Sequence, residues 1–195
     1  MDNFTHSIRR FATLAVAALA ATAAFAGTFK DISNEDTPDG ERWIQYTGTV
    51  ANSDLKTYEK LLRGDETIVL VMSSGGGDFY AGIALGKMTR KYRDMVQILV
   101  DKAYSAAALW TLGDDDYDWL DDDAELGFHL PYIYAQNATA GTDQKIGYAM
   151  GRYLEDVMGR DEADTFMDVL GQIRDEHGKF AMLCFAPDKD PYIKE

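Results

Sequence analysis

The stretch that decides the fold lies at residues 67–77 and reads Thr67-Ile68-Val69-Leu70-Val71-Met72-Ser73-Ser74-Gly75-Gly76-Gly77. It begins with an unbroken apolar run, which is typical of a strand covered on both faces, as in a parallel sheet. Three glycines then end the strand. The apolar spacing of residues 79–91 predicts that a helix follows. The stretch therefore reads as one β-α unit with a sharp glycine turn between its parts.

The same alternation continues on both sides of this unit. Upstream, residues 43–50 are rich in aromatic and β-branched residues and predict a strand, and residues 52–62 predict a capped helix. Downstream, residues 96–100 predict a buried strand and residues 105–112 a short helix. The order β-α-β-α-β-α predicts an α/β fold of repeated β-α-β units with right-handed crossovers and a mainly parallel sheet.

The rest of the chain completes a single domain. Residues 125–134 read as extended, 142–158 and 161–173 as helices, and 180–185 as a last strand. The sequence has 195 residues, a length that suits one core. We expect the domain to occupy residues 43–195.

The first 26 residues predict a signal peptide. Arg9 and Arg10 precede an apolar, alanine-rich segment, and Ala24-Phe25-Ala26 has the small-x-small pattern of a cleavage site. The apolar segment is short for a membrane span. We therefore expect an exported protein, periplasmic or secreted. Residues 27–42 are polar and predict a flexible mature N-terminus.

Composition limits the classes of partner. The net charge is −14, which argues against nucleic acid and anionic membrane surfaces, because both require cations on the protein. The single cysteine, Cys184, cannot form an internal disulfide, and its apolar neighbours indicate a buried thiol. The acidic runs at 114–116 and 121–123 lack the glycine and spaced glutamate of a calcium loop, so no metal site is expected.

The glycine run has two interpretations. Glycines between a strand and a helix can present main-chain N–H groups to an anion, either a phosphate or an oxyanion formed during a reaction. The spacings of the known glycine-rich phosphate loops are absent. The alternative is a plain tight turn.

Ser105 and His129 are the side chains that favour nucleophilic chemistry. Ser105 lies between a buried strand and a helix of small residues, where a nucleophile has room for substrate; the alternative is a helix cap. His129 follows a hydrophobic stretch and can accept a proton near neutral pH; the alternative is a structural histidine. His6 leaves with the signal peptide, and His177 lies in a polar segment.

Taken together, these elements resemble the Clp-protease proteolytic subunits of the ClpP/crotonase superfamily, and most closely exported Clp-like proteins of bacteria. The resemblance rests on residues 74–82, on residues 103–107 around Ser105, and on Gly127-Phe128-His129. It covers roughly residues 43–185. Two departures are that Gly75 replaces the usual proline, and that Ala103 and Ala107 replace cysteines common in exported relatives.

The resemblance implies roles for individual residues. Ser105 would be the nucleophile and His129 the general base. The N–H groups of Gly77 and Ala106 would form the oxyanion hole, with Gly76 shaping the turn. Asp175 is the positional match to the third member of the triad, and Asp168 is the reserve candidate.

The implied function is an exported serine hydrolase, a peptidase that cleaves peptide or protein substrates without a cofactor. The alternative is a catalytically inactive Clp-like binding or assembly module, since fold does not fix function. The resemblance also implies a homo-oligomer. No ATPase partner is expected, because an exported compartment lacks ATP, and no membrane contact is expected once the signal peptide is cleaved.

Overall fold

The structure, a computed structural model, describes residues 26–132 and 140–195, and the side chains of 140–144 are not described. The predicted signal peptide therefore lies outside the described residues, except for its last residue. The elements in chain order are β1 (Thr28–Asp31), β2 (Glu41–Thr47), α1 (Asp54–Leu62), β3 (Thr67–Ser74), α2 (Phe79–Lys91), a 3-10 turn (Arg93–Met95), β4 (Val96–Tyr104), α3 (Ala106–Thr111), β5 (Asp118–Trp119), β6 (Glu125–Phe128), α4 (Ala140–Met158), α5 (Arg160–His177), β7 (Met182–Phe185) and β8 (Tyr192–Lys194).

Within the described ranges, one mixed sheet of eight strands organises the domain, in the order β1-β2-β3-β4-β6-β7-β8 with β5 beside β4. The inner strands β2, β3, β4 and β6 pair in parallel, and β5 is parallel to β4. The pairs β1–β2, β6–β7 and β7–β8 are antiparallel. The α/β class is confirmed, but the prediction of a mainly parallel sheet is not. The connections at 32–40 and 186–191 are too short for a crossover helix, so the strands they join pair antiparallel.

The prediction of a flexible segment at 27–42 also needs correction. Within it, β1 pairs with β2 along its whole length, from Thr28 opposite Thr47 to Asp31 opposite Ile44. Arg42 binds Asp31 at 2.8 Å. The Phe29 ring lies 4.9 Å from the ring of Tyr46. Polar composition concealed this strand because β1 lies at the edge of the sheet, where most of its side chains stay exposed.

A group of aromatic side chains, the aromatic core cluster, fills the space between the sheet and the helices. It consists of Phe29, Tyr46, Tyr58 and Trp110. The ring centroid of Trp110 lies 4.8 Å from that of Tyr46 and 4.9 Å from that of Tyr58, in edge-to-face geometry. Tyr46, Tyr58 and Trp110 are fully buried. The cluster fixes α3, which carries Trp110, against strand β2 and helix α1.

The topology brings three chain segments to one edge of the sheet. Strands β3, β4 and β6 are parallel, so their carboxyl ends point the same way, with Ser74 opposite Ala103 and Tyr104 opposite Gly127. The glycine run follows β3, Ser105 follows β4, and His129 follows β6. Ligands of open α/β sheets bind outside the carboxyl ends of the strands. The register thus places the predicted site at this edge. No helix in the described ranges is long and apolar enough to cross a membrane.

Candidate active site

A cleft of about 270 Å³ opens at this edge of the sheet. Its lining residues are Gly75, Gly77, Phe79, Ser105, Leu109, His129, Pro131 and Tyr132. The hydroxyl side chain, the imidazole and the glycine turn predicted from sequence therefore share one space. The remaining side chains of the lining are mostly apolar, which limits water around the polar groups.

The backbone of Ser105 is strained. Its φ of 56° and ψ of −120° lie in a region that L-residues rarely adopt, at a cost of about 1 to 3 kcal/mol. The Ser105 N–H donates to the Gly127 carbonyl at 2.8 Å, and the Ser105 carbonyl accepts from the Leu109 N–H at 3.1 Å. The side chain makes no cap hydrogen bond with α3. The helix-cap interpretation is therefore not supported, and Ser105 lines the cleft.

Gly76 is the point where the glycine turn approaches the serine most closely. Its φ is +97°, and a Cβ placed there would lie 2.7 Å from Ser105 Cβ and 2.6 Å from the Tyr104 carbonyl oxygen. Only glycine fits this position without displacement of the serine. The Gly76 N–H donates to Ser74 Oγ at 3.1 Å. The Gly76 amide is therefore already occupied by Ser74, and the closeness of its Cα to Ser105 requires glycine at this point of the turn.

The Gly77 amide has a different environment. On one side the segment is fixed to Val50, whose N–H donates to the Gly76 carbonyl at 2.9 Å and whose carbonyl accepts from the Asp78 N–H at 2.8 Å. Amides alternate in direction along an extended backbone, so the Gly77 N–H points away from Val50. Among residues 26–132 and 140–195 it donates to no protein acceptor.

The second predicted donor is the amide of Ala106. Ala106 is the first residue of α3, and the first N–H groups of a helix have no acceptor within the helix. No acceptor for this amide occurs in the described part of the chain. Ala106 N lies within 3.1 Å of the position a Gly76 Cβ would take, so the second donor borders the glycine turn. Two unused amides next to a serine have the composition of an oxyanion hole.

His129 is held in one orientation. Its Nδ1 lies 2.8 Å from the carbonyl oxygen of Leu130. A carbonyl oxygen only accepts, so Nδ1 carries the proton and the Nε2 of the neutral ring is left as an acceptor. The Tyr132 ring stacks on the imidazole with centroids 5.0 Å apart. Burial lowers the pKa of His129 from 6.5, and the hydrogen bond with Leu130 opposes this only in part. The neutral ring required of a general base is thus favoured.

Ser105 and His129 are not hydrogen-bonded to each other in the described structure. Hydrogen bonds between catalytic groups are often long without substrate and shorten in the complex with it. The two side chains share the cleft, and the Ser105 amide is bonded to the strand that leads into His129.

The predicted third member of the triad is not brought into the cleft. The Asp175 side chain is 70% exposed near the end of α5, where it binds Arg174 at 2.9 Å. Asp168 is exposed on the same helix. Neither residue lines the cleft, and the Nδ1 atom that a triad aspartate would face is bonded to Leu130. Asp175 has the chain position that the resemblance implied for a triad aspartate, but its side chain does not reach the cleft.

Sequence reasoning missed the Leu130 carbonyl and the Tyr132 ring. No pattern of side chains marks a main-chain acceptor, and an aromatic residue three positions after a histidine is a weak signal. The acidic run that begins at Asp114 serves the fold: the buried Asp114 accepts the Ile98 N–H at 2.7 Å, and burial raises the pKa of its carboxyl group. In the described residues no group of three or more His, Cys, Asp or Glu side chains could hold a metal ion.

Comparison with solved structures identifies the fold. ClpP1 from Listeria monocytogenes superposes with a TM-score of 0.51 at 12% identity, over 68% of this chain and 85% of that one. A single-residue mutant of ClpP1 gives a TM-score of 0.56 at 12% identity, over 75% and 83%. The 1510-N membrane-bound stomatin-specific protease, also a mutant, gives 0.51 at 14% identity, over 74% and 71%. The chain has a Clp-protease-like fold.

At such low identity the likeness is one of fold. No protein-family model matches the sequence, and no curated protein matches it either. The Clp-like fold agrees with the superfamily that the motifs around Gly76, Ser105 and His129 predicted. The arrangement of the cleft has to carry any conclusion about chemistry.

Proposed function

We propose that this Clp-like domain is a serine hydrolase that cleaves peptide bonds. The observation that carries the proposal is the strained backbone of Ser105 in the cleft it shares with His129. Strained residues persist where the surrounding structure holds them, and they cluster at functional sites. A serine that only capped a helix would use its hydroxyl on that helix and would not need a positive φ.

In the proposed reaction, Ser105 Oγ gives its proton to His129 Nε2 and forms a bond to the carbonyl carbon of the substrate. The electron pair of the carbonyl moves to its oxygen, which the N–H groups of Gly77 and Ala106 stabilise. The tetrahedral intermediate breaks its C–N bond, and the leaving amine takes the proton from Nε2. Water then repeats the sequence on the acyl-enzyme and restores Ser105.

The orientation of His129 suits this role without an aspartate. The Leu130 carbonyl holds the Nδ1 proton, so Nε2 is the free acceptor, and the same carbonyl stabilises the ring when it is charged. The partial burial of His129 keeps the imidazole neutral at the start of the reaction. The proposed site is therefore a Ser–His pair with a main-chain acceptor behind the histidine.

Peptides are the proposed substrates because of the fold and of the sequence. Two of the similar structures are ClpP1 and a stomatin-specific protease, so peptide hydrolysis is the activity to test first. The basic and apolar N-terminal segment supports an exported location, and the proposal includes no cofactor and no ATPase. A homo-oligomer is part of the proposal by resemblance alone.

A fluorophosphonate probe tests the proposal directly, because it forms a covalent bond only with an activated serine. We expect the purified protein to be labelled at Ser105, as located by peptide mass spectrometry. Labelling should disappear in Ser105→Ala and in His129→Ala. Folded protein without any label would contradict the proposal and favour the binding-module alternative.

Matched controls separate the site from general damage. Ser53 precedes α1 and makes no cap hydrogen bond, so Ser53→Ala removes an exposed serine with no role in the cleft. His177 lies at the far end of α5, where its Nδ1 contacts Glu195 at 2.8 Å. We expect Ser53→Ala and His177→Ala to be labelled at the rate of the unaltered protein.

A further inference from the structure

A cluster of polar side chains lies beside the nucleophile and takes no part in the proposed reaction. We call Tyr104, Glu125, Tyr192 and Lys194 the C-terminal clamp. Lys194 Nζ donates to Glu125 Oε1 at 2.7 Å and to the Tyr104 phenol oxygen at 3.1 Å. The Tyr192 phenol donates to Glu125 Oε2 at 2.5 Å. The ammonium group of Lys194 also lies 4.7 Å from the centre of the Tyr104 ring.

The register of the sheet brings these residues together from distant parts of the chain. Tyr104 lies opposite Gly127 in the β4–β6 pair, and Gly127 lies opposite Cys184 in the β6–β7 pair. Cys184 in turn lies opposite Tyr192 in the β7–β8 pair. Side chains of paired residues point to the same face of a sheet, so one face carries the clamp across four strands.

The clamp holds the residue that immediately precedes the nucleophile. The Tyr104 ring covers Gly127 so closely that a Cβ on Gly127 would lie 2.7 Å from Tyr104 Cδ1. The carbonyl of Gly127 accepts the N–H of Ser105 at 2.8 Å. Tyr104 of β4 and Gly127 of β6 are thus fixed against each other directly before the strained Ser105.

The opposite charges of Lys194 and Glu125 stabilise the C-terminal clamp. Burial by itself would raise the pKa of Glu125, but hydrogen bonds from Lys194, Tyr192 and Tyr104 outweigh it and lower the pKa to about 2. The hydrogen bonds with Glu125 and Tyr104 raise the pKa of Lys194. Glu125 is therefore ionised and Lys194 protonated near neutral pH, where a histidine base operates.

We propose that the C-terminal strand β8 is a positioning element of the Ser105 site. The strand acts on Tyr104 through Lys194 and Glu125. This inference rests on the proposed function, because it concerns the alignment of the same nucleophile. A residue in a strained backbone conformation is stable only if its neighbours hold it there. The clamp holds Tyr104, the last residue of β4, directly before the strained Ser105. Among the described residues Lys194 hydrogen-bonds to Glu125 and Tyr104, neither of which lines the cleft, so it is a positioning residue and not a catalytic one.

The test is Lys194→Met, which keeps the length and apolar stem of the side chain and removes its charge. We expect the maximal rate of fluorophosphonate labelling to fall by about tenfold to a hundredfold, since a displacement of about 1 Å at a reacting group has effects of this size. The probe concentration at half-maximal rate should stay the same, because the cleft itself is unaltered. Lys194→Arg, which restores the cation, should recover most of the rate.

Lys189→Met is the matched control, because Lys189 is exposed in the loop before β8. It should be labelled like the unaltered protein. A merely structural role for Lys194 would lower the melting temperature and leave the maximal labelling rate of the folded protein unchanged. That result would overturn the positioning role and leave the hydrolase proposal standing.

Amide hydrogen exchange gives a second measurement that needs no activity. In Lys194→Met we expect the Ser105 amide to exchange at least about tenfold faster, because its hydrogen bond to Gly127 opens more often. Unchanged exchange at Ser105 would contradict the role of the clamp. Absence of labelling in the unaltered protein would instead contradict the proposed function, so the two failures can be distinguished.

Discussion

The two ends of helix α3 differ in how they use polar groups. Trp110, near its carboxyl end, belongs to the aromatic core cluster, where every polar atom is paired: Thr89 Oγ1 accepts from Trp110 Nε1 at 3.0 Å and shares a hydrogen bond with the Tyr58 phenol at 2.8 Å. The Tyr46 phenol donates to the buried Asp54 at 2.8 Å. At the other end, the Ser105 hydroxyl and the Ala106 amide have no protein partner in the described residues.

This difference separates the end of the helix that stabilises the fold from the end that borders the cleft. Buried polar groups stabilise a fold only when they are paired, so the cluster around Trp110 gives α3 a single position. The Ser105 hydroxyl is tolerated without a protein partner because Ser105 lines an open cleft, where water or substrate can bind it. The packing of Trp110 in the aromatic core cluster fixes α3 and thereby supports the strained backbone of Ser105 at the start of the helix.

The largest effect is expected from Ser105→Gly. The substitution removes the proposed nucleophile, and we expect peptidase activity to fall by about 10⁴-fold or more. It also relieves the positive φ, which glycine adopts without cost, so the free energy of unfolding should not decrease. Activity assays and urea unfolding measure the two effects. A clear loss of stability would show that Ser105 stabilises the fold, as Trp110 does at the other end of α3.

The next effect is expected from Gly76→Ala. The added Cβ would lie 2.7 Å from Ser105 Cβ, and the φ of +97° is unfavourable for alanine. We expect the labelling rate to fall by about a hundredfold, because the serine and its turn must move apart. Gly171→Ala is the control, since nothing lies within 4 Å of its Cβ position and Gly171 is in α5, outside the lining of the cleft. Equal effects of the two substitutions would contradict the close approach at Gly76.

Tyr46→Phe tests the opposite region. The substitution removes the hydrogen bond from the Tyr46 phenol to the buried Asp54 and leaves only the one from the Ala51 amide. We expect the free energy of unfolding to fall by about 1 to 3 kcal/mol. The labelling rate of the folded protein should not change. Tyr148→Phe, at a position that is 72% exposed, should leave both quantities unchanged. A loss of labelling in folded Tyr46→Phe protein would show that the cluster and the cleft are coupled.

The pH dependence follows from the lowered pKa of His129. In the proposed reaction the neutral ring is the active form, so the labelling rate should fall on acidification with a midpoint below the ordinary value of about 6.5. The same shift affects stability: its contribution is complete above about pH 6.5 and is lost as the pH falls through the pKa of the folded state. His177→Gln should keep the acidic midpoint. A midpoint above 6.5 would contradict the partly buried, neutral histidine.

The smallest effect is expected from Asp175→Asn. Because Asp175 is exposed and bound to Arg174, we expect labelling and peptidase rates within about threefold of the unaltered protein. A triad aspartate would cost about 10⁴-fold. Asp168→Asn should behave in the same way. A large loss in either variant would mean that the carboxylate reaches His129 during catalysis.

The sequence by itself determined the repeated β-α units and the three segments that meet in the cleft. These signals are local: an apolar run of strand length, a glycine turn and a helical spacing can each be read within about fifteen residues. Once β3, β4 and β6 are parallel, the order of the segments places Gly76, Ser105 and His129 at the same edge of the sheet. The motifs and the topology therefore agree.

The tertiary structure alone decided the rest. Strand β1 and the antiparallel edges depend on partners elsewhere in the chain, which a local pattern does not contain. The orientation of His129 depends on a main-chain carbonyl, and every residue type has one, so the sequence does not mark which carbonyl will bind the ring. The direction of the Asp175 side chain depends on how α5 packs. Composition and spacing determine which groups come near each other, whereas the distances and angles between them arise only from packing.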